Sequence, residues 1–252
     1  MSSSSPTEAT GRTLADCEAE LLRAVEEIDA LSYAVSHDLR APLRVIDGFS
    51  QAAIERAGDA LSPEVQRYLG LVRRSAARMS AQLDGLLAYS RIGRREPELA
   101  TVDMRTAARD ATARVTADQE GGGVVVIGEL PPAETDIVLV SDILDRLVDN
   151  AVKFSSHEET PHVEVLADAT TDPVTYLVRD NGVGFDMRWA DRLFVMYQRL
   201  HSDEEFDGLG LGLALAARGV GRLGGRIWAD ASVGQGATFA FTLAPDAPSD
   251  HR

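Results

Sequence analysis

At 252 residues, with 44% hydrophobic and 26% charged residues, the chain has the size and make-up of one large or two modest globular domains. A formal net charge of −15 sets a repulsive long-range field against DNA and anionic membranes, so neither nucleic-acid binding nor membrane insertion is expected. The single cysteine, Cys17, excludes an intrachain disulfide, and no run approaches the roughly 18 apolar residues that span a bilayer, so a cytoplasmic location is expected.

Residues 1–12 are small, polar and without period, and read as a disordered tail that lacks the basic start and apolar stretch of a signal peptide. From Leu14 a different pattern begins. Leu14, Cys17, Leu21, Ala24, Ile28, Leu31 and Val35 follow one another at steps of three and four, with charged residues between them. Such a seam is the stripe of a coiled coil, and it predicts a parallel dimer. Cys17 on this seam is read as a small buried apolar residue.

The seam runs into Ser36-His37-Asp38-Leu39-Arg40-Ala41-Pro42-Leu43. Pro42 removes a helical hydrogen bond and crowds the carbonyl of Asp38, so a bend is expected just after His37. The helical pattern resumes at Leu43, Val45, Ile46, Phe49 and Ile54 and breaks at residues 58–63, where Ser62 is a good N-cap and Pro63 suits a first helical position. A second helix follows with Val65, Tyr68/Leu69, Val72, Ala76, Met79, Leu83, Leu86 and Ser90 at heptad spacing. Residues 13–92 therefore predict a helical hairpin, and two copies would complete a four-helix bundle.

Residues 93–98, charged and broken by Gly93 and Pro97, read as a domain linker. Residues 99–245 mix strands and helices. Leu99–Val102 is a short strand, Asp103 caps a helix to about Val115, and Val124–Ile127 is a strand behind three glycines. Val138–Val140 reads as another strand, after which Ser141 would cap a helix from Asp142 to Phe154. His162–Ala167 and Val174–Arg179 alternate like a hairpin, and Gly225–Ala229 and Ala237–Leu243 supply two more strands. The prediction is an α+β domain with helices on one face of a sheet, followed by a polar tail at 246–252.

Two glycine-bearing stretches carry chemistry in this domain. Asp180-Asn181-Gly182-Val183-Gly184 ends a strand, and Gly208-Leu209-Gly210-Leu211-Gly212-Leu213 opens an apolar helix. Glycines let backbone approach a ligand closely, and a glycine-rich loop at a helix N-terminus offers free N–H groups to phosphates. A carboxylate at a strand end can accept from an exocyclic amine, and the oxygen of Asn150, three residues before Lys153, suits Mg²⁺. The other histidines, His157, His162, His201 and His251, show no metal-ligand spacing.

Taken in order, six stretches resemble the sensor histidine kinases of two-component systems: His37-Asp38-x-Arg40-x-Pro42-Leu43, Asn150-Ala-x-Lys153-Phe, Asp180-x-Gly-x-Gly, Phe194-x-x-x-Gln-Arg199, Gly-Leu-Gly-Leu-Gly-Leu and Gly234-x-Gly-x-Thr238. The histidine stretch is most similar to phytochrome-type kinases. The resemblance covers about Leu31 to Leu243. It implies a dimerisation and histidine-phosphotransfer bundle followed by an α/β sandwich of the GHKL ATPase type, the fold shared with Hsp90, MutL and gyrase. It also implies that His37 is autophosphorylated from ATP, with Asp38 as the acid that orients and deprotonates the ring, and that an aspartate on a separate response regulator receives the phosphoryl group. Asn150 would be the Mg²⁺ ligand, Lys153 a phosphate contact and Asp180 the carboxylate that recognises adenine. Gly182, Gly184, Gly208, Gly210, Gly212 and Thr238 would border the nucleotide. Phe185–Asp207 would form a lid from which Arg199 reaches the phosphates.

Three positions depart from the family pattern. Arg146 stands where many relatives carry an asparagine, which leaves one asparagine for Mg²⁺ and offers a guanidinium to phosphate. Ala41 stands where many relatives carry Thr or Asn to position water, so weak or absent phosphatase activity is expected. Ala237 replaces a common hydroxyl residue. A sensor is expected upstream in a longer protein, or as a partner acting through the coiled coil. Rival readings at this stage are a dimeric ATP-binding scaffold with a silent His37, a phosphotransfer protein that does not use ATP, and an Hsp90- or MutL-like ATPase.

Overall fold

The computed structural model describes residues 14–117, 124–200, 205–206 and 208–243, with backbone alone at 14–32 and 59. Both tails, the three glycines before Val124, the side chains of the Leu14–Leu31 seam and His201 lie outside the described residues. The chain divides into two compact units, Met1–Ser90 and Arg91–Arg252.

The first unit is a helical hairpin. Helix α1 (Leu14–Ala57) runs through Pro42 without interruption. A single 3₁₀ turn, Gly58–Ala60, leads to α2 (Pro63–Arg94). Ser62 caps α2 as expected: its Oγ accepts from the Val65 amide at 3.3 Å.

The described part of α1 carries two stripes. Ser36, Leu43 and Ser50 are buried at heptad spacing. Between them Arg40 bonds to Asp84 at 2.5 Å, and Asp47 accepts from Arg73 at 2.9 Å, so this stripe faces α2. The other stripe, Val35, Leu39, Pro42, Ile46 and Phe49, also steps by four and three, and it is exposed, Phe49 to 75%. Val72 and Met79 of α2 are exposed as well. Within one chain the hairpin therefore covers only one side of the described part of α1.

The second unit is built on a five-stranded sheet. In chain order its elements are β1 (Ala100–Val102), α3 (Met104–Thr116), β2 (Val124–Ile127), β3 (Ala133–Thr135), α4 (Ile137–Ser155), β4 (His162–Asp168), β5 (Thr175–Asp180), α5 (Gly212–Arg222), β6 (Ile227–Ala231) and β7 (Ala237–Phe241). The sheet order is β2-β4-β5-β7-β6, with β2 parallel to β4 and the other pairs antiparallel, while β1 and β3 form a separate ribbon. Alternation along the strands gives the sheet two unlike faces. Val163, Val165, Val178, Phe239 and Phe241 are buried on one face. There they join Met104 and Ala108 of α3, Ile143, Leu147 and Val148 of α4, and Ala216 and Val220 of α5 in one core. Val126 and Trp228 of the other face are exposed.

One segment differs from the sequence expectation. Val138–Val140 is not a strand but the first turn of α4, and the cap is Asp136 rather than Ser141. The strand lies just before, at Ala133–Thr135. Four successive apolar residues, Ile137–Val140, suit a buried strand locally, but Leu139, Val140, Ile143, Leu144, Leu147 and Val148 are all buried in the pairs that a helix makes.

Asp136 also holds the segment expected to be a linker. It is 1% exposed; one oxygen accepts from the Val138 and Leu139 amides, and the other accepts from the Glu98 amide at 2.9 Å and Arg95 Nε at 3.1 Å. Burial raises the acid's pKa, but these hydrogen bonds outweigh it and hold the carboxyl below its ordinary value. Arg222 Nε donates to the Arg95 carbonyl, and Ile92 packs on the core. Residues 91–98 are fastened to the sheet unit.

Candidate active site

In the hairpin, His37 stands on α1 with 72% of its side chain exposed. Its Nδ1 lies 3.3 Å from Asp38 Oδ1. Adjacent residues on a helix do not normally face each other, so this contact is a rotamer choice. With the proton on Nδ1, directed at Asp38, the lone pair is left on Nε2. Ala41, one turn further on, is exposed and offers no polar group.

In the sheet unit, a cavity of about 520 Å³ opens between α4, the ends of β5 and β7, and the glycine-bearing segment before α5. Its volume is in the range of small-molecule sites. Helix α4 contributes Arg146, Asp149, Asn150, Lys153 and Phe154 to the wall. These residues form one stripe because the amphipathic helix buries its opposite face in the core.

Asp180 is 4% exposed at the end of β5. One oxygen, Oδ1, accepts from the amides of Gly182 at 2.9 Å and Ala237 at 3.3 Å. The other, Oδ2, is buried with no partner among the described residues. Burial pushes the carboxyl up to about 6, against the lowering effect of the two amides. A buried acceptor without a donor is costly, and in a cavity wall it marks where a ligand's donor belongs.

The glycines divide into two groups. Gly184, Gly208, Gly210 and Gly212 line the cavity. Gly184 (φ +57°) and Gly210 (φ +68°) need the left-handed region, and a Cβ on either would collide with backbone, at 2.1 Å from the Ser232 carbonyl and 2.4 Å from the Gln198 carbonyl. Gly208 lies against Lys153 Nζ, and Gly212 starts α5, whose N-cap Leu211 makes no side-chain cap, leaving N–H groups at a helix end on the cavity.

Gly182 does not line the cavity. It packs on α4, where a Cβ would fall 2.2 Å from the Phe154 carbonyl. Thr238 is likewise displaced from its expected place. Ala237 pairs with Asp180 and shares its face, so the next residue points to the opposite face. There Thr238 pairs with Arg179 and accepts from its Nε at 3.4 Å.

The described part of the expected lid is anchored in its C-terminal half. Tyr197, at φ +63°, donates its amide to Gly210 at 2.9 Å. Arg199 lines the cavity and donates to the Phe206 carbonyl. The Phe206 ring lies 4.7 Å from Phe154 and 4.8 Å from His157. Sequence reasoning missed Arg192, Leu193 and Gln198, which line the cavity from this segment, and Asp149 on α4. Position could have signalled Asp149, which directly precedes Asn150. Gln198 stands in the Phe194-x-x-x-Gln-Arg199 stretch beside Arg199, while Arg192 and Leu193 have no signal beyond lying within the lid.

Comparison with known proteins gives these two units a common context. Residues 27–95 match the family described as "His Kinase A (phospho-acceptor) domain". Residues 135–247 match "Histidine kinase-, DNA gyrase B-, and HSP90-like ATPase". The chain is 27% identical over 231 residues to phytochrome-like protein Cph1 of Synechocystis sp., and 32% identical over 235 residues to cyanobacterial phytochrome B of Nostoc sp.. Each alignment covers 91% of this chain and 31% of the relative, so the chain spans about a third of the length of these relatives. Among solved structures, full-length ShkA in complex with AMPPNP is similar over 86% of this chain and 46% of that chain, at 26% identity and a TM-score of 0.60. Acinetobacter baumannii histidine kinase AdeS shares the fold over 84% of this chain and 98% of that chain, at 17% identity and a TM-score of 0.53. With a phospho-acceptor hairpin followed by a GHKL-type ATPase sandwich, this chain belongs to the histidine kinases of two-component systems.

Proposed function

We propose that the chain is an ATP-dependent protein-histidine kinase that phosphorylates His37 and hands the phosphoryl group to an aspartate of a separate response regulator. The observation that carries the nucleotide half is the unpartnered Asp180 Oδ2 in the cavity wall. An adenine amine supplies the donor that oxygen lacks. Asn150, Lys153 and the N-terminal end of α5 line the same cavity and suit phosphates. The similar ShkA chain, solved with the ATP analogue AMPPNP, supports a nucleotide as occupant.

The residues present fit Mg²⁺ carried in on the phosphates. Among the described residues no cluster of three or more acidic, histidine or cysteine side chains forms a metal cage. Mg²⁺ keeps waters and phosphate oxygens as most of its ligands, so the Asn150 oxygen suffices as a protein contact. When bound, the ion supplies neutralisation of phosphate charge.

The chemistry then falls to His37. Nε2 attacks the γ-phosphorus, the N–P bond forms and the bond to the β–γ bridging oxygen breaks, with ADP leaving. Asp38 takes the Nδ1 proton, so the ring does not carry a full positive charge through the transfer. The exposed seam Val35-Leu39-Pro42-Ile46-Phe49 supports a homodimer in which a second copy covers it. Exposed Ala41 leaves no group to hold an attacking water, which supports weak phosphatase activity.

The test is labelled ATP with wild type, His37→Gln, Asn150→Ala and Asp180→Asn. Acid-labile label on wild type alone is expected, with nucleotide binding retained in His37→Gln and weakened in Asp180→Asn. Nucleotide binding without any label would instead support the scaffold reading. Fast hydrolysis of a phosphorylated regulator by His37→Gln would refute the phosphatase expectation.

A further inference from the structure

Arg146 is a half-buried cation in the cavity wall, with 24% of its side chain exposed. Its guanidinium is fixed by Asp142 through two bonds of 2.8 Å, Nε to Oδ2 and Nη2 to Oδ1. The pair is the side-on, two-point kind that sets a guanidinium's plane and leaves its remaining N–H donors directed elsewhere. A mere helix ion pair between residues four apart could stand on any exposed face. Instead Arg146 stands on the cavity stripe of α4, one turn before Asn150 and two before Lys153.

Its position along the helix gives it a role. The end of β5 meets the C-terminal end of α4, where the Val183 amide donates to the Phe154 carbonyl at 3.3 Å and Gly182 packs on the same group. Asp180, the base-recognising acid, therefore marks the Phe154 end. Arg146 is eight residues up the helix from Phe154, about 12 Å at roughly 1.5 Å per residue. A nucleotide whose base sits at Asp180 and whose phosphates pass Lys153 and Asn150 brings its last phosphate, not its first, to Arg146.

We propose that Arg146, oriented by Asp142, binds the terminal phosphate and makes the cavity prefer a nucleoside triphosphate over the diphosphate. This rests on the nucleotide reading of the cavity. A kinase gains from such a preference because the spent diphosphate competes for the same site, and a cation that touches only the γ-phosphate weakens the product without weakening the substrate.

The experiment is equilibrium binding of ATP and of ADP, each with Mg²⁺, to the full chain as wild type, Arg146→Met, Arg146→Lys and Asp142→Asn. Loss of a hydrogen-bonded charge pair predicts that Arg146→Met weakens ATP roughly tenfold or more and leaves ADP unchanged. Unchanged ADP binding also shows that the variant's cavity is folded. Arg146→Lys keeps the charge without the planar fork and recovers part of the preference. Asp142→Asn moves ATP in the same direction by less, since it frees the guanidinium without removing it. Equal weakening of ATP and ADP, or no change in either, overturns the proposal while leaving the kinase reading intact. Absence of binding of either nucleotide to wild type overturns both.

Discussion

The two units handle their apolar surface in opposite ways. The sheet unit buries Phe239, Phe241, Leu147 and Val148 in one continuous core, covering its apolar face with three of its own helices. The hairpin buries only Leu43, Ala76 and Leu87 among its described apolar side chains, and leaves Val35, Leu39, Ile46 and Phe49 exposed. One unit is complete within a chain, and the other is complete only against something else. A helical seam stepping by three and four is self-complementary, so a second copy is the natural cover.

The largest expected effect breaks the hairpin side of this contrast. Phe49→Asp removes an anchor twice per dimer, since each copy contributes it. At about 1.5–3 kcal/mol per buried aromatic side chain, the dimer should loosen on the order of a hundredfold or more in sedimentation experiments. A dimer of unchanged strength would mean that the seam is covered by something other than its twin. On the other side, Leu147→Ala in the sheet core should cost about 2–5 kcal/mol in denaturant unfolding, with no dependence on protein concentration. A concentration-dependent loss there would show that the sheet unit is not complete by itself.

The smallest effect concerns pH and sharpens what the cavity does with Asp180. Its folded pKa, raised to about 6 by burial, lies above the ordinary value of 3.8, so the fold prefers the protonated form. The contribution of this residue to apo stability should be greatest below about pH 4 and be lost as pH rises through 6. Nucleotide affinity should run the other way, falling as pH drops through 6, because a protonated Oδ2 is a poorer acceptor. Opposite slopes in wild type that both flatten in Asp180→Asn would support the assignment. Parallel slopes would remove Asp180 from base recognition.

Much of this was legible in the sequence. The hairpin turn was readable because Ser62-Pro63 is a start signal with a mechanism, and β4 with β5 because period-two alternation is unambiguous there. His37, Asn150, Lys153 and Asp180 stood out as candidates because each sits in a motif whose order along the chain is informative, and the structure places the last three on one cavity wall. What failed did so for local reasons. Ile137–Val140 satisfies strand and helix patterns alike, and only burial against the sheet decides. Thr238 missed the cavity by one residue, and in a strand one residue is the whole distance from one face to the other. The Arg146–Asp142 pair is visible as a spacing of four, but its place on the cavity wall depends on which stripe of α4 the core takes.

Asp136 has a practical consequence for anyone recombining signalling modules. The boundary suggested by Gly93 and Pro97 falls inside a piece of machinery. A sandwich excised from Leu99 onward would lose Arg95 and strand an interior carboxylate that also closes the first turn of the nucleotide-wall helix. Transplants should be joined ahead of Arg91, so that the donor sequence travels with its own clasp.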